Sequence, residues 1–161
     1  MSARIERLRA EVESDRAALD SHLDTLASLS LDAPSISPAV LAQAAWALHH
    51  AYTGIEAILE RTARVIEGSL PEGPDWHKAL LDDAALTIER TRPPLLSVQT
   101  VRALHDLRAF RHFVRHGSVV QLEASRLAVL QQRAADLRAD LTDDLDRLDA
   151  WLLALSATLG Q

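Results

Sequence analysis

An arginine and a histidine stand five positions apart near the end of a basic stretch, Arg111-His112-Phe113-Val114-Arg115-His116-Gly117. A guanidinium holds a phosphate through two parallel hydrogen bonds. Imidazole is the side chain best suited to moving a proton near neutral pH. Together they supply what cleavage of an RNA backbone requires, charge stabilisation at the phosphate and proton transfer at its oxygens. Arg-x4-His spacing is common by chance, so its weight rests on what surrounds it.

Residues 101–118 carry four arginines (Arg102, Arg108, Arg111, Arg115) against one acid (Asp106), a formal +3 within a chain of net charge −6. The rest of the chain is therefore strongly acidic. That asymmetry argues against diffuse coating of nucleic acid and for one local anion site on an acidic body. A solvated helix face is the plainer reading of the same charges.

On an ideal helix His105, His112 and His116 fall within about 40° of one another, because spacings of seven and four return to one side. Leu107, Phe110 and Val114 fall on the other side, so the histidine face is expected to look away from the core. Arg111 and His116 diverge by about 140° on a regular helix. Either the last turn unwinds before Gly117, or the site is composite and takes residues from two copies of the helix; the composite is favoured. Arg108 and Arg115, seven apart, could hold flanking phosphates, and His112 could assist His116 or cover an interface. The His112/His116 spacing also suits zinc, but a third ligand is missing nearby and no Glu-x-x-His occurs, so no metal and no cofactor are expected.

The elements that must position these groups read as helices throughout. With 161 residues, 48% hydrophobic content and five glycines, the chain suits a single all-α domain spanning 1–161. There is no cysteine, which excludes disulfides and thiolate metal sites. Residues 1–30 lack the unbroken apolar run of a signal peptide or membrane span, so a cytoplasmic protein without a membrane partner is expected.

Ile5, Leu8, Val12, Leu19, Leu26 and Leu29 alternate by threes and fours and predict a first helix over Ser2 to Leu29. Asp15 and His22 occupy the same seam, either marking a subunit surface or lying at its edge while Ala18 and Leu23 share the burial. Ser37-Pro38 predicts a helix start, and helix two runs to about Glu67, apolar over so much of its circumference that it should be central. Gly54 suggests close helix contact there. Asp75 is a candidate cap for a third helix, from Trp76 to about Arg90. Trp76 reads first as a core anchor, His77 as an ordinary first-turn residue, and Glu56 as a surface acid that could alternatively orient an arginine. Ser97 can cap a fourth helix, Val98 to His116, with Gly117 as its stop. From Ala124, Leu127, Leu130, Ala134, Leu137, Leu141, Leu148, Leu152, Leu155 and Leu159 continue the three-four spacing. Two long terminal helices should pair, giving an up-and-down bundle of about five helices.

Four blocks carry a resemblance: Tyr52-Thr-Gly-Ile-Glu56, Trp76-His77-x-x-Leu80-Leu81, Arg92-Pro-Pro-x-Leu96-Ser97 and Leu107-Arg-x-Phe110-Arg-His-x-x-Arg115-His116. Together they resemble HepT-like ribonuclease toxins of the HEPN superfamily over roughly Trp46 to Leu127. The resemblance implies a metal-independent endoribonuclease, a homodimer whose two Arg-x4-His motifs line a shared cleft, and a nucleotidyltransferase (MNT-type) antitoxin as partner. It makes Arg111 the phosphate-stabilising residue and His116 the general acid or base.

The family's tyrosine, two residues after the histidine, is replaced here by Ser118. In relatives the antitoxin silences the toxin by adenylylating that tyrosine. A serine hydroxyl lacks the reach of a phenol, and it removes an aromatic group on which a base could stack. Two other readings follow from the same residues, a non-catalytic module that binds a nucleotidyltransferase or RNA, and a structural helical adaptor.

Overall fold

The stripe of Ile5, Leu8, Val12, Leu19 and Leu26 is buried in the computed structural model, on helix α1 (Ser2–Ala27). The structure describes residues 1–33, 35–116 and 122–160, with 112–116 described by their backbone alone. Every long element among the described residues is a helix: α1, α2 (Pro38–Thr62) with a π-helical turn Ala63–Glu67 at its end, α3 (Trp76–Asp83), α4 (Val98–His116) and α5 (Ala124–Leu159). None is long and apolar enough to cross a membrane.

Helices α1 and α5 run antiparallel over the length of α1, as their apolar stripes require. Polar pairs fix the register at both flanks of the seam. Ser2 meets Ser156 at 2.9 Å, Arg9 holds Asp149 through two bonds of 2.8 and 2.9 Å, and Arg16 reaches Asp146 at 2.6 Å. At the far end Gln131 Nε2 donates to the carbonyls of Leu26 and Leu29 at 2.6 and 2.8 Å, tying the last turn of α1 and the residues after it to α5. Asp15 and His22 are turned toward α2 rather than toward a free surface. Asp15 pairs with Arg61 at 2.7 Å, and His22 packs edge-on against Trp46 at 4.8 Å. Leu23 shares the seam's burial as expected, whereas Ala18 is exposed.

Helix α2 is the central element and packs against each of the other four helices. Ser37 Oγ accepts from Val40 N at 3.3 Å with Pro38 opening the helix, and Gly68 ends the π turn in the left-handed region at φ 81°. Its apolar circumference has one exception, since Trp46 is half exposed. Gly54 faces α1, but a Cβ there would stand 3.6 Å from Leu19 Cβ, an ordinary contact. Helix packing at that point does not demand glycine.

The third helix is shorter than its composition suggests, ending at Asp83 instead of near Arg90. Arg92 is the reason. Its buried guanidinium donates to the carbonyls of Asp83 (3.1 Å) and Leu86 (2.9 Å) and to Glu67 (2.6 Å), so the chain must fold back on itself. Arg90 takes a positive φ of 62° in that return, and Ile88 bridges to Arg92. Asp75 occupies the N-cap position of α3, though its side chain makes no capping bond.

Candidate active site

The second half of α4 lies against α2, and the apolar contacts that seat it are Leu104, Leu107 and Phe110, all buried. The helix starts where Ser97 Oγ accepts from Thr100 N at 3.1 Å, and Asp144 of α5 accepts from Ser97 N at 2.9 Å. This fixes the rotation of α4 about its axis. Arg111 then projects toward α2, into the space between α2 and α3.

There the guanidinium meets Glu56, with Nη2 3.1 Å from Oε1 and side-chain exposures of only 14% and 8%. Its Cζ lies 5.9 Å from the ring centroid of Tyr52, one turn earlier on α2, within range of a cation–π attraction. Glu56 is thus no surface acid. Its other oxygen, Oε2, takes a hydrogen bond from Nδ1 of His77 at 2.8 Å. The His77 ring is stacked on Trp76 with centroids 3.6 Å apart and planes inclined by 29°. Arg111, Glu56, His77 and Trp76, with Glu60 and Arg64, line an open hollow of about 560 Å³.

Burial pushes the Tyr52 phenol well above its ordinary range, and the charge of Glu56 adds to this while Arg111 and Arg108 oppose it. Tyr52 is therefore a neutral, buried support behind the Arg111 guanidinium at any physiological pH. The Nε atoms of Arg108 and Arg111 are both buried with no hydrogen-bond partner among the described residues.

Of the residues singled out in the sequence, Arg111 is placed at the hollow, and Arg108 is half buried close to Tyr52 rather than on a solvated stripe. The side chains of His112, Arg115 and His116, and the whole of Ser118, lie outside the described residues. His105 corrects one expectation about the histidine face. Its Nε2 bonds Asp82 of α3 at 2.7 Å, so α3 covers that part of α4 and the face is not open there. His77 and Trp76, read from sequence as structural, stand at the site. Among the described residues no group of three or more potential metal ligands occurs.

A family model described as HepT-like protein matches residues 43–152. The chain belongs to the HepT-like family. The matched span runs beyond Leu127 into most of α5, so the HepT-like unit includes α2, α3, α4 and much of the terminal helix, while α1 precedes it. The all-α bundle fits a HepT-like protein of the HEPN superfamily. No curated protein and no solved structure gives a match.

Proposed function

We propose that this HepT-like protein is a metal-independent endoribonuclease, the toxin of a pair whose antitoxin is a nucleotidyltransferase, and that it acts in the cytoplasm as a homodimer. Arg111 and His116 carry the chemistry, in a cleft to which two copies of α4 contribute. The observation that supports it is the seating of Arg111. Glu56 and Tyr52 hold its guanidinium at the rim of a hollow that it lines.

A guanidinium fixed in this way stabilises the extra negative charge that a phosphodiester gathers as the ribose 2′-oxygen attacks phosphorus, without being reorganised at that moment. His116, five residues on, serves as general acid or base toward the 2′-hydroxyl and the leaving oxygen. Arg108, His112 and Arg115 are assigned to flanking phosphates and to support of the cleft. Ser118 stands where a modifiable tyrosine would be, so control by adenylylation at that position is not expected.

That same serine favours a second reading, a HepT-like module that binds RNA or the nucleotidyltransferase without cutting. Labelled single-stranded RNA incubated with the purified protein in EDTA separates the two. Product formation supports the nuclease, whereas retention of RNA without product supports the module.

A further inference from the structure

We propose that His77 is the base that takes the proton from the attacking ribose hydroxyl, oriented by Glu56 and working beside Arg111; this rests on the ribonuclease reading above. Glu56 serves two partners at once, Arg111 through Oε1 at 3.1 Å and His77 Nδ1 through Oε2 at 2.8 Å. Paired with a guanidinium, the carboxylate only accepts, so Nδ1 must carry the proton. The lone pair of the neutral ring is then on Nε2. That atom has no hydrogen-bond partner among the described residues, while the ring lines the hollow and keeps 23% of its side-chain surface open.

Stacking on Trp76 holds the plane of the ring, and the bond to Glu56 holds its rotation within that plane. A carboxylate that fixes imidazole tautomer and orientation, and steadies the cation formed on proton uptake, is the arrangement by which histidine becomes an effective base. Arg111 shares the same carboxylate, so the phosphate-binding group and the base are held at a set separation. The remaining charged groups around the ring are Glu60 of α2 and Arg64 of the π turn; Lys78 on α3 itself is engaged by Asp82 at 2.7 Å.

The step balances without a co-reactant. The 2′-oxygen gives its proton to His77 Nε2 and forms a bond to phosphorus, the bond from phosphorus to the 5′-oxygen breaks, and that oxygen takes a proton from a second acid, the part assigned to His116. A 2′,3′-cyclic phosphate and a 5′-hydroxyl result.

The test compares wild-type protein, His77→Ala and His77→Asn on a single-stranded RNA oligonucleotide and on the same oligonucleotide with a bridging 5′-sulfur, whose leaving group needs no acid. Asparagine keeps an N–H for Glu56 but offers no base. Expected is a single-turnover rate at least about 100-fold lower in both variants, little change in KM, loss of the acid limb of the pH profile, and the same deficit on the sulfur substrate. His116→Ala, by contrast, should recover on that substrate. His77→Asn with wild-type rate and an unchanged acid limb would mean that the ring merely positions Glu56, and it overturns the proposal. If the wild type cuts RNA and His77→Asn cuts it equally well, this inference alone falls; a wild type inert on both substrates sinks the nuclease reading and this step with it.

Discussion

Glu56 faces Arg111 at 3.1 Å, across the contact between α2 and α4 and nearly shut from water. Removing one partner of such a pair strands the other charge in a poorly solvated place. Glu56→Ala should therefore lower the unfolding free energy by about 3 kcal/mol, read as a lower urea midpoint at unchanged slope. Glu56→Gln, which keeps the shape and one hydrogen-bond acceptor, should lose less. An unaltered midpoint in the alanine variant would show that Arg111 finds another partner.

Arg92 ties the end of α3 to the π turn, with only 2% of its side chain exposed. Arg92→Ala leaves the carbonyls of Asp83 and Leu86 and the Glu67 carboxylate without their donor, at a cost of about 3 kcal/mol. Lysine cannot reproduce the fork, so Arg92→Lys should recover only a minor part. Hydrogen exchange should quicken first in residues 84–91. Uniform protection in the variant would contradict this role.

His22 is pushed below its ordinary pKa by burial, with the neighbouring His50 adding to the effect. The folded chain then binds fewer protons than the unfolded one as pH falls through the unfolded value. Stability should decline on acidification from about pH 7 and level off below the lowered folded value. Asp82 acts in the same direction at lower pH. Burial would raise its pKa, but bonds from Lys78 and His105 outweigh it, so its contribution is present above the ordinary carboxylate range and lost below. His22→Gln should flatten the upper part of the profile in denaturation curves, and a profile identical to wild type would remove His22 as its source.

A composite cleft makes a stoichiometric prediction. Mixing Arg111→Ala and His116→Ala subunits restores one of the two Arg111–His116 pairings across the cleft in each mixed dimer and none in either parent. Random exchange should recover about a quarter of wild-type activity from two inactive proteins. A site built within one subunit would recover nothing.

Most of the bundle was legible from spacing. The leucine stripes of α1 and α5, the Ser37-Pro38 start and the Ser97 cap all mark real features, because helix burial and capping are set by residues close in sequence. The end of α3 was not legible. Residues 84–90 carry ordinary helix formers, and the return is imposed by Arg92 through bonds to carbonyls six and nine residues back. The spacing to His116 marks Arg111, but no local pattern marks the residues that hold it. Glu56 looks like any helix acid until Arg111, 55 positions later, is laid against it. One signal was available: Tyr52 and Glu56 stand four residues apart and so share one face of α2. His77 offers no such signal, since a histidine in a first turn is commonplace.

The most direct measurement is the rate at which Arg111→Ala and His116→Ala proteins, confirmed as folded dimers, cut labelled RNA in EDTA beside the wild type. Steady cleavage by the wild type and a loss of at least about 100-fold in each variant are expected. Cleavage at the wild-type rate by either variant would contradict the assignment of these two residues.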